Sequence, residues 1–304
     1  MTEFSSNPDR DDDPGIGRID ADLIRTLVDV GEKCLENTGV PNARNNAEWL
    51  MCHAAGCTRL DIYGCGVAEF PGDAGEKFMS YIERRLAREP LQYIVGSTEF
   101  MSLPFETRPG VFVPRPDTEV LVELAEDRLR AMPLSPVLRV LDLCCGSGVV
   151  GVSLARRVPN LEVHAVDLSR LAVETTSINA RLNGVGDRVT VFNLSAAEYP
   201  EEPFDAVVCN PPYIATEDIA ELPPEVRGHE PVEALDGGAD GLDFYLEIIP
   251  MLPRWLKPGG FAAFEIGDTQ GPAVSALLQN AGFTETVVTP DLARRDRVVS
   301  AWKV

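Results

Sequence analysis

Basic residues are scarce in this 304-residue chain. Lys and Arg number 27 against 48 Asp and Glu, for a formal net charge of -21. A chain so acidic has no footprint for a phosphate backbone, which argues against a primary duplex-DNA binder. Neither part supplies one. Residues 1–115 hold 19 acids and 12 bases (net -7), and residues 116–304 hold 29 and 15 (net -14). Histidine is rarer still, at three. His164 falls in a predicted strand and His229 in a loop, and no G-x-S-x-G elbow accompanies them, so a hydrolase triad is excluded. No apolar run reaches the ~18 residues that span a bilayer. The opening MTEFSSNPDRDDDPG lacks the apolar segment of a secretory signal and carries Asp11-Asp12-Asp13, so a cytoplasmic protein with a disordered acidic tail over residues 1–18 is expected. Seven cysteines are an odd number with no pairing framework, which suits a reducing compartment. Cys52, His53, Cys57 and Cys65 lack the paired C-x2-C knuckles of zinc modules and read as packing residues, with no metal expected.

What is present is an ordinary globular mixture, 44% hydrophobic and 25% charged, long enough for two domains. No internal repeat is visible. Residues 19–88 read as a small helical bundle. Leu23, Ile24, Leu27, Val28 and Cys34 recur at three-to-four spacing, and segments 47–55 and 77–86 repeat the pattern. Residues 89–116, rich in Pro, Gly and aromatics, read as a β-hairpin linker. A helix follows, with Asp117 or Thr118 as its cap. From residue 117 to 304 strands and helices alternate. The apolar runs 137–143, 161–168 and 204–209 imply an α/β fold with a largely parallel, doubly wound sheet. The last two strand candidates could form an antiparallel edge pair.

Asp142-Leu143-Cys144-Cys145-Gly146-Ser147-Gly148 links the first of these strands to its helix. Ligands of such sheets bind at this place, and Gly146 and Gly148 let the backbone approach one closely. Asp167 ends the next strand, where a carboxylate can take both ribose hydroxyls. Gly146-x-Gly148-x-x-Gly151 also matches the dinucleotide fingerprint. An acid directly before the loop would repel a pyrophosphate, however, and suits a cationic amino group such as that of S-adenosylmethionine. Three readings stand on the loop alone: S-adenosylmethionine, a dinucleotide, or a structural turn.

The buried run 204–209 ends in Asn210-Pro211-Pro212-Tyr213. Two prolines remove backbone donors and hold the neighbouring carbonyls in a set direction. With the Asn210 amide oxygen and the Tyr213 ring, they make a receptor for a flat group bearing an NH2. An amide nitrogen is a poor nucleophile because its lone pair is delocalised. Accepting hydrogen bonds from both its N–H groups turns that lone pair toward a methyl donor, so positioning and electrostatics carry the rate.

These motifs resemble amino-methyltransferases, and further segments narrow the resemblance. They are Arg84-Arg85, Arg88 to Ile94, Gly96, Glu99-Phe100, Val113 to Glu119, Glu230-Pro231, Gly237-Gly238-x-x-Gly241-Leu242, Glu265-Ile266-Gly267 with Gln270, and Asp291-Leu292 with Arg295 to Val299. Taken in this order, from about residue 45 to the end, they resemble the release factor glutamine methyltransferases of the HemK type. That resemblance implies a helical N-terminal domain, a hairpin linker and a class I, Rossmann-like methyltransferase sheet. It implies a monomer using S-adenosylmethionine, with no direct nucleic-acid or membrane partner. The expected reaction is methylation of the side-chain nitrogen of the Gly-Gly-Gln glutamine in class 1 peptide chain release factors. Carried across, Asp142, Leu143, Cys144, Cys145, Gly146, Gly148, Asp167 and Ser195 would hold the cofactor, with Arg115 and Thr118 close to it. Asn210, Pro211, Pro212 and Tyr213 would hold the acceptor amide, Asn210 lying near the methyl as well.

The chain departs from the family pattern at three places. Cys144-Cys145 stands for Gly-Thr, Asn193-Leu194-Ser195-Ala196 lacks the usual acid, and Arg294 stands for Gly. The Cys-Cys loop also resembles a related branch of glutamine methyltransferases that would act on another protein. A DNA or RNA amino-methyltransferase shares the Asn-Pro-Pro-Tyr motif but needs the basic groove this chain lacks.

Overall fold

The computed structural model describes residues 18–64 and 69–304. The tail expected over residues 1–18 therefore lies outside the described residues, save Arg18, and so does Cys65. The chain divides into two compact units, Met1–Val95 and Gly96–Val304.

The first unit is helical, with a two-residue pairing of β1 (Arg18–Ile19) and β2 (Phe70–Pro71). Its helices are α1 (Ala21–Asn37), α2 (Ala43–Ala55), α3 (Arg59–Tyr63), α4 (Ala74–Leu86) and α5 (Leu91–Val95). Asp20 caps α1 by accepting from the Leu23 N–H at 2.8 Å. Ile24, Val28, Gly31 and Leu35 form its buried stripe at the period of a helix, against Leu50 and Met51 of α2 and Phe78 and Ile82 of α4. The Cys52 thiol faces Cys57, and burial pushes it up to about 12. Among the described residues no group of three or more His, Cys, Asp or Glu could hold a metal.

The second unit opens with a hairpin, β3 (Ser97–Phe100) and β4 (Leu103–Glu106). Met101 and Ser102, both at positive φ, make its two-residue turn. The sequence reading spread this hairpin over 89–116. It is confined to these ten residues because Leu91–Val95 forms a helical turn that buries Ile94 in the first core. A turn at Pro116–Thr118 leads into α6 (Glu119–Ala131). Thr118 holds the cap position without a side-chain cap bond.

The strands β5 (Leu138–Leu143), β6 (Leu161–Asp167), β7 (Val189–Asn193), β8 (Phe204–Cys209), β9 (Leu256–Glu265), β10 (Phe283–Pro290) and β11 (Asp296–Lys303) build one sheet. Their order is β10-β11-β9-β8-β5-β6-β7. Five pair in parallel, and the last two join as the antiparallel edge the sequence suggested. Between the strands run α7 (Val149–Arg157), α8 (Arg170–Leu182), α9 (Pro224–His229), α10 (Asp243–Ile248), α11 (Leu252–Trp255) and α12 (Gly271–Asn280). Side chains alternate along a strand, so each strand feeds two cores. Val140, Val163 and Val208 pack with α6 and α7, while Leu141, Val166 and Val207 pack with α10 and α12. Both faces are covered, which is why the strands read as continuous apolar runs. From β5 the chain moves through β6 and β7 on one side, then crosses to β8 on the other. This reversal opens a crevice at the carboxyl ends of β5 and β8.

Candidate active site

The glycine loop and the Asn-Pro-Pro-Tyr segment leave the sheet at that crevice. Leu143 and Cys209 are register partners, so the residues following each strand emerge side by side. The Cys144 and Cys209 thiols interact there, and burial pushes the Cys209 thiol well up.

The loop is held from several sides. Asp142 is buried, and its Oδ2 accepts from the Gly151 N–H at 2.8 Å. Burial pushes its carboxyl up to about 7, the Gly151 N–H opposing and the nearby Asp167 adding to the rise. Asp167 accepts from the Gly146 N–H at 2.8 Å on one oxygen and from the Ser169 N–H at 2.8 Å on the other. Burial raises its pKa against both bonds. The Thr176 hydroxyl donates to the Gly146 carbonyl at 2.9 Å, and the Asn179 amide to the Ser147 carbonyl at 2.9 Å. Gly148 sits at φ 83° with Thr176 2.8 Å from where a Cβ would be, so a side chain is barred there twice over. Sequence reasoning did not find Thr176 and Asn179, because nothing local in α8 marks them.

Two departures from the family pattern fall on unusual backbone. Cys144 has φ 55° and Arg294 φ 63°. Both replace glycine where the backbone is left-handed, at a cost of roughly 1–2 kcal/mol each.

The structure links Asn210 to Thr118. The Asn210 Nδ2 donates to the Thr118 Oγ1 at 3.2 Å. That commits the NH2 end of the amide to Thr118. Thr118 itself has helical backbone angles, φ -66° and ψ -17°, so its hydroxyl does not fold back as a cap and meets Asn210 instead. Tyr213 is half-buried, and its hydroxyl donates to the Glu265 Oε1 at 3.2 Å. Burial raises the Tyr213 pKa strongly, so the phenol keeps its proton. The Tyr213 carbonyl accepts from the Gln270 Nε2 at 2.9 Å. A Cβ on Gly237 would lie 2.9 Å from the Pro212 carbonyl, so the 237–241 loop packs against the motif backbone at a distance only glycine allows.

Arg115 caps, and Thr118 ends, the 3-10 turn that precedes α6. Arg115 pairs with the buried Glu230, whose second oxygen accepts from the Val113 N–H at 3.3 Å. The Arg115 guanidinium also lies 4.8 Å from the Phe112 ring centre. Ser195 stands differently from the rest: its hydroxyl forms a capping box with Glu198 inside its own turn. Where the family has an acid, the Asn193 amide donates to the Asp167 and Leu168 carbonyls, tying two strand ends together.

The donor set fits S-adenosylmethionine. Two carboxylates, Asp142 and Asp167, stand at adjacent strand ends, beside a loop stripped of side chains at Gly146 and Gly148. Leu143, Cys144 and Cys145 line the same loop.

Comparison with known proteins gives three results. The family model described as "PrmC N-terminal domain" matches residues 26–96, and "Methyltransferase small domain" matches residues 102–222. The release factor glutamine methyltransferase of Geobacter sulfurreducens is 41% identical over 277 residues, covering 91% of this chain and 95% of that protein. The one from Streptomyces coelicolor is 39% identical over 285 residues, covering 92% and 98%. Among solved structures, the hMettl16 catalytic domain in complex with the MAT2A 3'UTR hairpin 6 aligns with a TM-score of 0.53. It is 17% identical and covers 66% of this chain and 75% of that one, a likeness of fold.

Proposed function

This chain belongs to the release factor glutamine methyltransferases, and on that premise we propose that it methylates the side-chain nitrogen of the Gly-Gly-Gln glutamine in class 1 peptide chain release factors. S-adenosylmethionine supplies the electrophilic methyl group. Asp142, Asp167 and the loop from Leu143 to Gly148 hold it, with Arg115 and Thr118 beside it.

The observation that carries the acceptor assignment is the Asn210–Thr118 bond. With its NH2 committed to Thr118, Asn210 offers Oδ1 to one N–H of the glutamine amide, and a carbonyl of the Pro-Pro pair takes the other. The two prolines have no N–H to compete with the acceptor. The Tyr213 ring closes the site as a flat wall. Both N–H groups are then restrained by acceptors, and the nitrogen lone pair is aimed at the methyl. No residue needs to remove a proton before the methyl moves.

The test is transfer from labelled S-adenosylmethionine to a purified release factor, with mass spectrometry of the product. Label on the Gly-Gly-Gln glutamine, lost when that residue is Ala, is expected. A folded, cofactor-binding enzyme that labels no release factor defeats the reading. Label in RNA or DNA instead would move it to the nucleic-acid amino-methyltransferases, which the net charge of -21 disfavours.

No described helix is long and apolar enough to cross a membrane. We place the reaction in the cytoplasm, where release factors work.

A further inference from the structure

We infer that the ion pair of Asp117 and Arg297 is a positioning device for methyl transfer: it clamps the turn that carries Thr118 to the crevice end of the sheet and keeps the Thr118 hydroxyl at the Asn210 amide. This rests on the reading of Asn210 as a holder of the acceptor.

Arg297 stands near the start of β11. Its neighbour Val298 is the register partner of Glu265, the last residue of β9, and Phe264 is that of Cys209 on β8. Arg297 therefore lies at the end of the sheet where Asn210 leaves it. Its side chain is 9% exposed and is fixed to the sheet. Nη1 donates to the Ile266 carbonyl at 3.3 Å, and Nη2 lies 3.4 Å from Oδ2 of the buried Asp291. The same Nη2 lies 3.5 Å from Oδ2 of Asp117, which the exposed Arg295 reaches at 3.8 Å. A buried guanidinium needs an anionic partner, and Asp291 supplies one whatever Asp117 does. Arg297 is thus a fixed post, and Asp117 is the residue tied to it.

Asp117 directly precedes Thr118 in the turn Pro116–Thr118, which the Thr118 N–H closes on the Arg115 carbonyl at 3.1 Å. The Asp117 carboxylate is 43% exposed, so its ion pair adds little to stability. What the pair fixes is place. Thr118 is buried, and its bond to Asn210 joins segments 92 residues apart. The clamp on Arg297 acts one residue away from that bond. A shift of about 1 Å in the turn would carry the Asn210 amide off the line along which it restrains the acceptor, and misplacement on that scale costs up to about a hundredfold in rate. The Arg295-Asp296-Arg297 segment, which neither the cofactor nor the acceptor site uses directly, gains a role in this way.

The experiment compares Asp117→Asn, Thr118→Val, their double variant, Arg297→Gln and Asn210→Ala in the full-length enzyme. It measures kcat and KM for a release factor, and melting temperature. Asp117→Asn is expected to lower kcat by about fivefold or more, with KM changed by less than about twofold. Its melting temperature should move by no more than about 2–4 °C, as for a half-exposed ion pair. Thr118→Val should lower kcat as well. The double variant should cost no more than the worse single, because the clamp acts through the hydroxyl that Thr118→Val removes. Wild-type kcat in Asp117→Asn or in Thr118→Val, or losses that multiply in the double variant, would overturn the inference. Arg297→Gln should repeat the Asp117→Asn loss, and wild-type kcat there counts equally against it. If Arg297→Gln does not fold, Asp117→Asn decides alone, since Arg297 keeps Asp291 in that variant. Asn210→Ala separates the two readings. If it keeps full turnover, the acceptor assignment itself fails. If it is inactive while Asp117→Asn has wild-type kcat, only the role of the ion pair fails.

Discussion

Gln270 donates its side-chain amide to the backbone carbonyl of Tyr213 at 2.9 Å while its own oxygen accepts from the Gly267 N–H at 2.9 Å. The same Nε2 reaches the Gly241 carbonyl at 3.1 Å. One side chain thus pins the end of the Asn-Pro-Pro-Tyr segment to the glycine loop behind it. Gln270→Ala should lower kcat by about tenfold and destabilise the fold by about 1–3 kcal/mol, for three part-buried bonds lost. Steady-state kinetics and urea melts measure both. Wild-type kcat in that variant would show that the segment holds its shape unaided.

Glu230 is buried against Arg115 and the Val113 N–H, so it braces the strand of chain that delivers Thr118. Glu230→Gln keeps the shape and removes the charge. Cofactor affinity should weaken by about fivefold to tenfold, as Arg115 loses its partner. Calorimetric titration of S-adenosylmethionine checks this, and an unchanged affinity would place Arg115 outside the cofactor site.

Arg294 is exposed at φ 63° in the turn between β10 and β11. Arg294→Gly should stabilise the protein by up to about 1 kcal/mol: relief of the left-handed strain exceeds the entropy glycine adds to the unfolded chain. Cys144→Gly relieves the same strain but also removes the thiol that meets Cys209. Its gain should be the smaller of the two in denaturant melts.

Stability should respond to pH in the less familiar direction near neutrality. Burial pushes the carboxyls of Asp142 and Glu265 each up to about 7. Unfolded, these groups titrate near 4. Between about pH 4.5 and 7 the folded state holds protons the unfolded chain has released. Their contribution is therefore full below the unfolded values and lost as pH rises through 7, by up to about 1.4 kcal/mol per pH unit for each group. Melts from pH 5 to 8.5 should show falling stability, and Asp142→Asn or Glu265→Gln should flatten the slope. Stability that rises across this range would refute the assignment.

The segment 214–243, which follows the Asn-Pro-Pro-Tyr motif, carries nine acids and one base. A segment this acidic attracts a basic partner surface at long range. KM for the release factor should rise several-fold between about 0.05 and 0.3 M salt, with kcat little changed. A KM indifferent to salt would remove charge from the recognition.

Features that rest on contiguous residues were legible in the sequence. The loop Asp142 to Gly148, the strand-end Asp167 and the Asn-Pro-Pro-Tyr segment all stand where apolar runs stop, and the structure brings the loop and the motif to one crevice. Thr118 was legible in place but not in role. A threonine before an acidic helix start reads as a cap, and its bond to Asn210 crosses 92 residues. Ser195 was carried over from the family pattern, yet its hydroxyl serves a local capping box. Glu265 and Gln270 could be quoted as part of a family pattern, but no spacing said what they touch.

Alternation of apolar runs, turn residues and glycines is written in local chemistry, and it specified a covered parallel sheet with a ligand crevice at its strand ends. The pairing of Asn210 with Thr118, of Tyr213 with Glu265, and of Arg115 with Glu230 came from register between strands and from loops folded back over them. Those contacts depend on where separate segments meet in space, and a buried carboxylate such as Glu265 gains its meaning only from the donors that packing delivers to it.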